Sequence, residues 1–198
     1  MIFRGYGRSL WTTIYGKLPV TRLYSFSDQF NPGLREDAGA LFDYCIERFN
    51  LEISERYLNN KDFYNGKTLI IEFSRGGEKA YRNALPRLNG EILRKAAIFY
   101  IKVSAEESWR RNVARYEEKL KHSILAHMVP KRTFDAFYQT DDWAEYTMGK
   151  ESGVLVIKGV SVPFVTMNNE PELSPGPEIG KRYKDALDIL FRLRTGIQ

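Results

Sequence analysis

The stretch Leu69-Ile70-Ile71-Glu72-Phe73-Ser74-Arg75-Gly76-Gly77 decides the fold that we expect for this 198-residue chain. An apolar run leads directly into a carboxylate, a hydroxyl group, an arginine and two glycines. Short apolar runs are typical of buried parallel strands, and ligand-binding groups gather at the carboxyl ends of such strands in open α/β sheets. The stretch therefore predicts a central strand that ends at a functional site.

Helical and extended patterns alternate on both sides of this strand. The predicted elements are an amphipathic helix around 38–49, the strand 68–73, a helix over 79–95 interrupted near Pro86 and Gly90, strands at 97–103, 153–158 and 162–167, and a last helix over 179–191. This order predicts an α/β fold: a three-layer α/β/α arrangement with a mainly parallel sheet of about five strands. We expect residues 1–198 to form a single domain, because a chain of this length buries one good core.

A well-marked helix follows the strand at 97–103. Ser104 and Glu107 match the S-x-x-E capping box, which predicts a helix start at this point. At 100° per residue, Arg111 and Arg115 lie opposite the apolar stripe of this helix. They either neutralise a phosphoryl group during transfer or form a solvated helix face paired with neighbouring glutamates. Of the nearby arginines, these two are better placed for such a role than Arg110.

Composition narrows the classes of partner. The formal net charge is +5 and the pI is about 9.2, which favours a polyanionic partner such as a nucleotide or RNA, or else reflects a basic surface with no specific partner. The chain has one cysteine, Cys45, so it forms no internal disulfide and no cysteine-based zinc site. No apolar run approaches the ~20 residues that a membrane helix needs, so we expect no membrane partner.

Together, the stretch Leu69–Gly77, the arginine-bearing helix and the strand Val162–Asn168 resemble the nucleoside, nucleotide and small-metabolite kinase branch of the P-loop NTPases, from Ser25 to Leu193. The resemblance implies that the chain binds ATP or another purine nucleoside triphosphate with Mg²⁺. It also implies phosphoryl transfer to a small-molecule acceptor, or descent from proteins that performed it. An active enzyme and a catalytically silent relative are both open.

The resemblance assigns roles to individual residues. Glu72 stands where an acidic residue helps to hold magnesium, although it is equally suited to a structural ion pair with Arg75 or Arg94. Arg110, with Arg111 and Arg115, stands where arginines grip the nucleotide phosphates. Asn168 stands where the final strand leads into a loop beside the adenine.

Further positions are candidates for contacts with the acceptor substrate. Asp28 stands where the resembled kinases often place an acid, and it also suits the cap of a turn. Ser74 and Arg75, followed by two glycines, form either a backbone concavity for an anion or an ordinary glycine-rich turn. Asp142 lies in an acidic and aromatic stretch that covers a substrate pocket or simply packs at an edge.

The phosphate-binding loop G-x-x-x-x-G-K-[ST] is missing in its full form. Gly7, Arg8 and Ser9 are the nearest match, with arginine in place of lysine and Ser9 in the position that contacts magnesium. The first glycine of the motif would fall at Ile2. A decayed loop, a domain start that lies outside the chain, a disordered terminus over 1–22 and an organelle targeting segment are all compatible with this sequence.

A second class of function is a basic, non-enzymatic α/β module that binds RNA or a large assembly, using cations for phosphate and exposed aromatic rings for bases. The expected compartment is the cytoplasm. A mitochondrion or another organelle is the alternative, because the stretch from Met1 to Ser27 has several basic residues and no acidic one.

Overall fold

The computed structural model describes residues 43–44, 46–63, 67–122, 131, 134–135 and 138–196. The principal elements in chain order are helix α1 (46–53), a π-helical turn (Ser54–Leu58), α2 (Ala80–Ala84), a 3₁₀ turn (Leu85–Arg87), α3 (Gly90–Lys95), β1 (Ile98–Lys102), α4 (Ala105–Leu120), α5 (Trp143–Tyr146), β2 (Ser152–Ile157), β3 (Val160–Asn168) and α6 (Pro177–Thr195). The predicted interruption near Pro86 and Gly90 is confirmed, because α2 ends before the 3₁₀ turn and α3 begins separately, capped by the side chain of Asn89.

The described sheet has three strands in the order β1-β3-β2. β1 pairs with β3 in parallel, from Ile98 opposite Phe164 to Lys102 opposite Asn168. β2 pairs with β3 antiparallel through a tight hairpin. Lys158 and Gly159 form its turn with φ values of 51° and 75°, the pair of positive angles that a type I′ turn requires.

The prediction of a three-layer α/β/α fold with a mainly parallel sheet of about five strands is wrong, because the described sheet is small and mixed. A parallel neighbour needs a crossover of a dozen or more residues, whereas two residues connect β2 to β3. The predicted strand Leu69–Phe73 is also wrong, since residues 67–76 form neither helix nor strand. This segment and residues of β1 line two common cavities and do not form a strand pair.

Apolar clusters cover both faces of the sheet. On one face, Ile98 and Phe164 pack with Leu85, Leu93 and neighbouring residues of the helical layer. On the other face, β1 and β3 pack against Ala186 and Leu190 of α6. The segment 67–76 is held by packing, because Ile71 is 4% exposed and lies in a cluster with residues of α1, the π-helical turn and α3.

The start of α4 follows the predicted cap only in part. The Ser104 hydroxyl oxygen accepts a hydrogen bond from the Glu107 N–H at 3.3 Å, as a capping box requires. The Ser104 N–H, however, donates to the Glu170 carboxylate rather than to Glu107. This exchange leaves the Glu107 carboxylate available to arginine side chains.

No helix in the described ranges combines the length and the apolar character needed to cross a bilayer.

Candidate functional site

The carboxyl ends of β1 and β3 meet at one edge of the sheet because these two strands are parallel. The Asn169 N–H donates to the Lys102 carbonyl oxygen at 2.9 Å, and Ser104 bonds to Glu170 just beyond. These contacts bring the start of α4 against residues 168–176, which we call the β3–α6 loop. In open α/β sheets ligands bind beyond the carboxyl ends of parallel strands, and β1 and β3 are the parallel pair in this smaller, mixed sheet.

A first cavity, of about 570 Å³, lies along β1 and is lined by the residues of this strand from Ile98 to Ile101. Glu72 and Ser74 line one side, β1 lines another, and Leu173 and Tyr183 close the side towards the β3–α6 loop and α6. Glu72 and Ser74 are both exposed. The structure therefore brings two of the predicted site residues into one cavity.

Aromatic rings form much of the wall of this first cavity. Tyr100 stacks on Trp143 with ring centroids 4.7 Å apart, and Tyr81 meets both rings edge-on at 5.6 Å. The Tyr100 hydroxyl group donates to Asp141 at 2.6 Å. Burial, and then the charge of Asp141, raise the pKa of Tyr81 and of Tyr100 above the ordinary phenol value. Both phenols consequently stay protonated, and Tyr100 acts as a hydrogen-bond donor to Asp141.

A second cavity, of about 660 Å³, lies on the other side of the β3–α6 loop. Arg110 lines it and is held between two carboxylates, with Nε 2.6 Å from Glu107 Oε2 and a terminal nitrogen 2.6 Å from Glu172 Oε2. Hydrogen bonds from Arg110 and from Arg111 lower the pKa of Glu107 to about 2. Leu173 and Pro175 line both cavities, so the two cavities adjoin at this part of the loop.

The other two candidate arginines are committed to the protein itself. Arg111 is 9% exposed and donates to the Asn169 carbonyl oxygen and to Glu107, each at 2.7 Å. Arg115 donates through Nε to the Arg111 carbonyl oxygen at 3.0 Å. The helix face expected to meet solvent thus contains the most buried side chain of α4, because the β3–α6 loop packs over it. Neither residue lines the first or the second cavity.

Arg75 and Asp142 also have structural partners. The Arg75 side chain is 10% exposed and forms an ion pair with Asp43. The Asp142 carboxylate is buried and accepts the backbone N–H groups of Tyr81 at 2.7 Å and of Arg82 at 3.1 Å, at the start of α2. The alternative in which Glu72 pairs with Arg75 or Arg94 is not seen among the described ion pairs.

The remaining candidates divide into two groups. Asn168 is exposed at the end of β3, and its side-chain oxygen accepts the Glu170 N–H at 3.2 Å. Gly7, Arg8, Ser9 and Asp28 lie outside the described residues. The candidate phosphate loop and the candidate acceptor contact therefore stay predictions.

Two acidic residues shape this site. The sequence indicated Glu107 as a cap and as one of the glutamates that pair with the arginines of this helix, and the Arg111–Glu107 pair is present. It indicated Glu172 only as part of a turn-rich linker between Pro171 and Pro177. Glu172 meets Arg110 across 62 positions of the chain, so local spacing could not reveal the pair. An acidic side chain inside a proline-rich linker was the one available signal.

A metal ion would depend on few protein ligands here. Among the described residues, no group of three or more His, Cys, Asp or Glu side chains is arranged to hold one. Mg²⁺ usually takes one or two carboxylates, completed by water and by substrate phosphates. Glu72 is an exposed carboxylate in the first cavity and offers one such ligand.

Comparisons with known proteins leave the family open. A scan against protein-family models, a search of the curated proteins and a search of the solved structures each found no match. The resemblance to P-loop kinases accordingly stays a prediction from residues.

Proposed function

We propose that this chain binds a purine nucleotide with Mg²⁺ at the carboxyl edge of β1 and β3. The carrying observation is that the cavity of Glu72 and Ser74 adjoins the cavity of Arg110 at Leu173 in the β3–α6 loop. A nucleotide needs a site for its base, a carboxylate for magnesium and a cation for its phosphates. These three groups lie at neighbouring points of one edge.

The first cavity suits the base. Its volume of about 570 Å³ is in the range of small-molecule sites, which are mostly apolar with a few polar groups. Tyr183 lies parallel to Phe99, with centroids 5.8 Å apart and planes inclined by 11°, and both rings line the cavity. Aromatic walls favour planar heterocycles, because offset stacking adds to the burial of apolar area.

Arg110 suits the phosphates. Its side chain is 55% exposed, and its fork already binds two carboxylate groups, the same geometry that a phosphate offers. Exposed ion pairs contribute about 0–1 kcal/mol each, so a phosphate can replace Glu172 at low cost. Glu72 would hold Mg²⁺ together with phosphate oxygens.

Binding without transfer is the form of the proposal that the geometry favours. Transfer needs cations that meet the developing charge on the phosphoryl group, and Arg111 and Arg115 are bonded to the protein's own backbone. Phosphoryl transfer to a small acceptor stays a prediction from the resemblance.

Isothermal titration of the full chain with Mg-ATP tests the proposal. Arg110→Ala is expected to weaken binding several-fold, because it removes an exposed cation that would bind the phosphates. Glu172→Gln is expected to strengthen binding, because it releases Arg110 from a competing carboxylate. Arg56→Ala is the matched control, since Arg56 is also an exposed arginine in an ion pair, with Glu52 at 3.0 Å, and lies outside both cavities.

An unchanged affinity in both Arg110→Ala and Glu172→Gln would contradict the assignment of Arg110. Absence of Mg-ATP binding by the native chain would contradict the proposal as a whole. A parallel titration with a single-stranded RNA oligonucleotide addresses the alternative function. RNA binding that weakens steeply with salt, without Mg-ATP binding, would favour the RNA module.

A further inference from the structure

A third cavity lies beside the amino end of β1 and has a volume of about 440 Å³; it shares Phe99 with the lining of the first cavity. Leu69, Ile70 and Ile71 line one wall, and Leu187 and Leu190 of α6 line another. The remaining apolar lining consists of Ile53, Leu58, Ile92, Ala96, Ala97 and Phe99. The interior is thus aliphatic, and it draws on four separate parts of the chain.

The charged groups of this cavity are all cations. Lys67, Lys95 and Arg194 line it, and none of its lining residues carries a carboxylate. A terminal nitrogen of Arg194 donates to the Arg94 carbonyl oxygen at 2.8 Å, and Lys67 Nζ lies 6.0 Å from the centre of the Phe63 ring. The ion pairs among the described residues include neither Lys67 nor Arg194.

This combination selects one class of ligand. An aliphatic interior rewards burial of methylene groups and offers sugars or peptide groups few hydrogen-bond partners. The positive charges of Lys67 and Arg194 at its margin attract one anionic head group. From the apolar lining and the cationic margin, we propose that the cavity binds a single fatty acid. Its chain lies against Leu69–Ile71 and α6, and its carboxylate lies at Lys67 and Arg194.

Displacement of a fluorescent fatty acid tests the proposal on the full chain. The probe is 11-(dansylamino)undecanoic acid, displaced by octanoate, decanoate and dodecanoate below their micellar concentrations. A buried methylene group should strengthen binding about fourfold. Dodecanol, which has the same chain but no charge, is expected to displace the probe much more weakly than dodecanoate.

Variants test the cationic margin and the apolar interior of the cavity independently. Lys67→Gln and Arg194→Gln are each expected to weaken dodecanoate binding about tenfold and to leave dodecanol binding unchanged, since each removes a charge-assisted hydrogen bond to the carboxylate. Leu187→Trp is expected to block both ligands, and because Leu187 is 46% exposed the fold should tolerate the change. Lys184→Gln is the matched control, since Lys184 lies on the same helix and forms an ion pair with Asp188.

Failure of dodecanoate to displace the probe would overturn the proposal, as would full binding by Leu187→Trp. Equal affinity for dodecanoate and dodecanol, or no effect of either charge substitution, would overturn the role given to Lys67 and Arg194. These outcomes are independent of Mg-ATP binding, because none of the substituted residues lines the first or the second cavity.

Discussion

Asp142 illustrates how a single buried charge organises its surroundings. It is 3% exposed, and its two carboxylate oxygens satisfy backbone N–H groups at the start of α2, which otherwise have no partner within their own helix. A buried carboxylate that accepts such bonds stabilises the fold strongly, and its loss leaves donors without partners. Asp142 accordingly joins the segment after α4 to the helical layer.

Asp142→Ala is expected to lower the free energy of unfolding by about 2–3 kcal/mol, because hydrogen bonds to a charged group contribute about 1.5–3 kcal/mol. Urea denaturation followed by circular dichroism measures the change. Asp141→Ala is the control, since Asp141 is exposed. This substitution should lower the free energy of unfolding by about 1 kcal/mol. Equal losses in the two variants would contradict the role of Asp142.

Glu107 predicts a dependence of stability on pH. Hydrogen bonds from Arg110 and Arg111 hold its pKa at about 2 in the folded state, compared with 4.5 for the unperturbed group. Its contribution is therefore fully present above about pH 4.5 and is lost as the pH falls towards about 2. The difference in unfolding free energy between the native chain and Glu107→Gln should shrink over this window.

Urea denaturation at several values between pH 6 and pH 2 measures that difference. Glu78→Gln is the control, because Glu78 forms no ion pair among the described residues. A constant difference for Glu107→Gln would show that the arginines do not shift its pKa.

At the scale of elements, the β2–β3 hairpin fixes the topology of the sheet. Gly159 has a φ of 75° and nothing within 4 Å of an added Cβ, so substitution there is opposed by the backbone alone. Gly180 lies inside α6 and also has nothing within 4 Å. The two glycines therefore differ in backbone conformation and not in available space.

Gly159→Ala is expected to destabilise the protein by about 1–2 kcal/mol, the cost of a left-handed conformation for a residue with a Cβ. Gly180→Ala is expected to stabilise it by about 0.5–1 kcal/mol, because alanine favours a helix interior. Thermal unfolding measures the change in stability of each variant relative to the native chain. Shifts of the same sign would contradict this account of the turn.

The sequence predicted positions of elements better than their connections. The split helix around Pro86 and the strands at 153–158 and 162–167 were found from local patterns, and all of these are present. The direction of β2 was missed because the Lys158-Gly159 turn was not read as a hairpin signal. The run Leu69–Phe73 looks like a buried strand, yet Ile71 is buried among helical residues, and an apolar run alone cannot separate these outcomes.

Local sequence patterns also predicted the candidate site only in part, because they do not show contacts between distant parts of the chain. Glu72 and Ser74 were found because they follow an apolar run, and they do line a cavity. The arginines were ranked by helical phase, which cannot show that the β3–α6 loop covers Arg111 and leaves Arg110 at a cavity. Contacts between residues about 60 positions apart decide which cation is accessible.

At the scale of the whole molecule, the β3–α6 loop connects the parts. Arg110 of α4 holds it through Glu172, and Arg182 of α6 donates to the Pro171 carbonyl oxygen at 3.0 Å. Arg111 adds a bond to Asn169. One loop is thus bonded to two helices and borders two cavities, so a ligand in either cavity would act on the same backbone.

The hairpin has one more consequence, which concerns solubility. Within the described sheet β2 has β3 as its neighbour on one side, and its six residues include no charged side chain. Val154 and Val156 are exposed, Val156 by 71%. Edge strands that lack charge or proline are open to pairing with strands of other molecules. Crowded solutions of this protein are therefore expected to self-associate along β2, and a lysine at position 156 would oppose that aggregation.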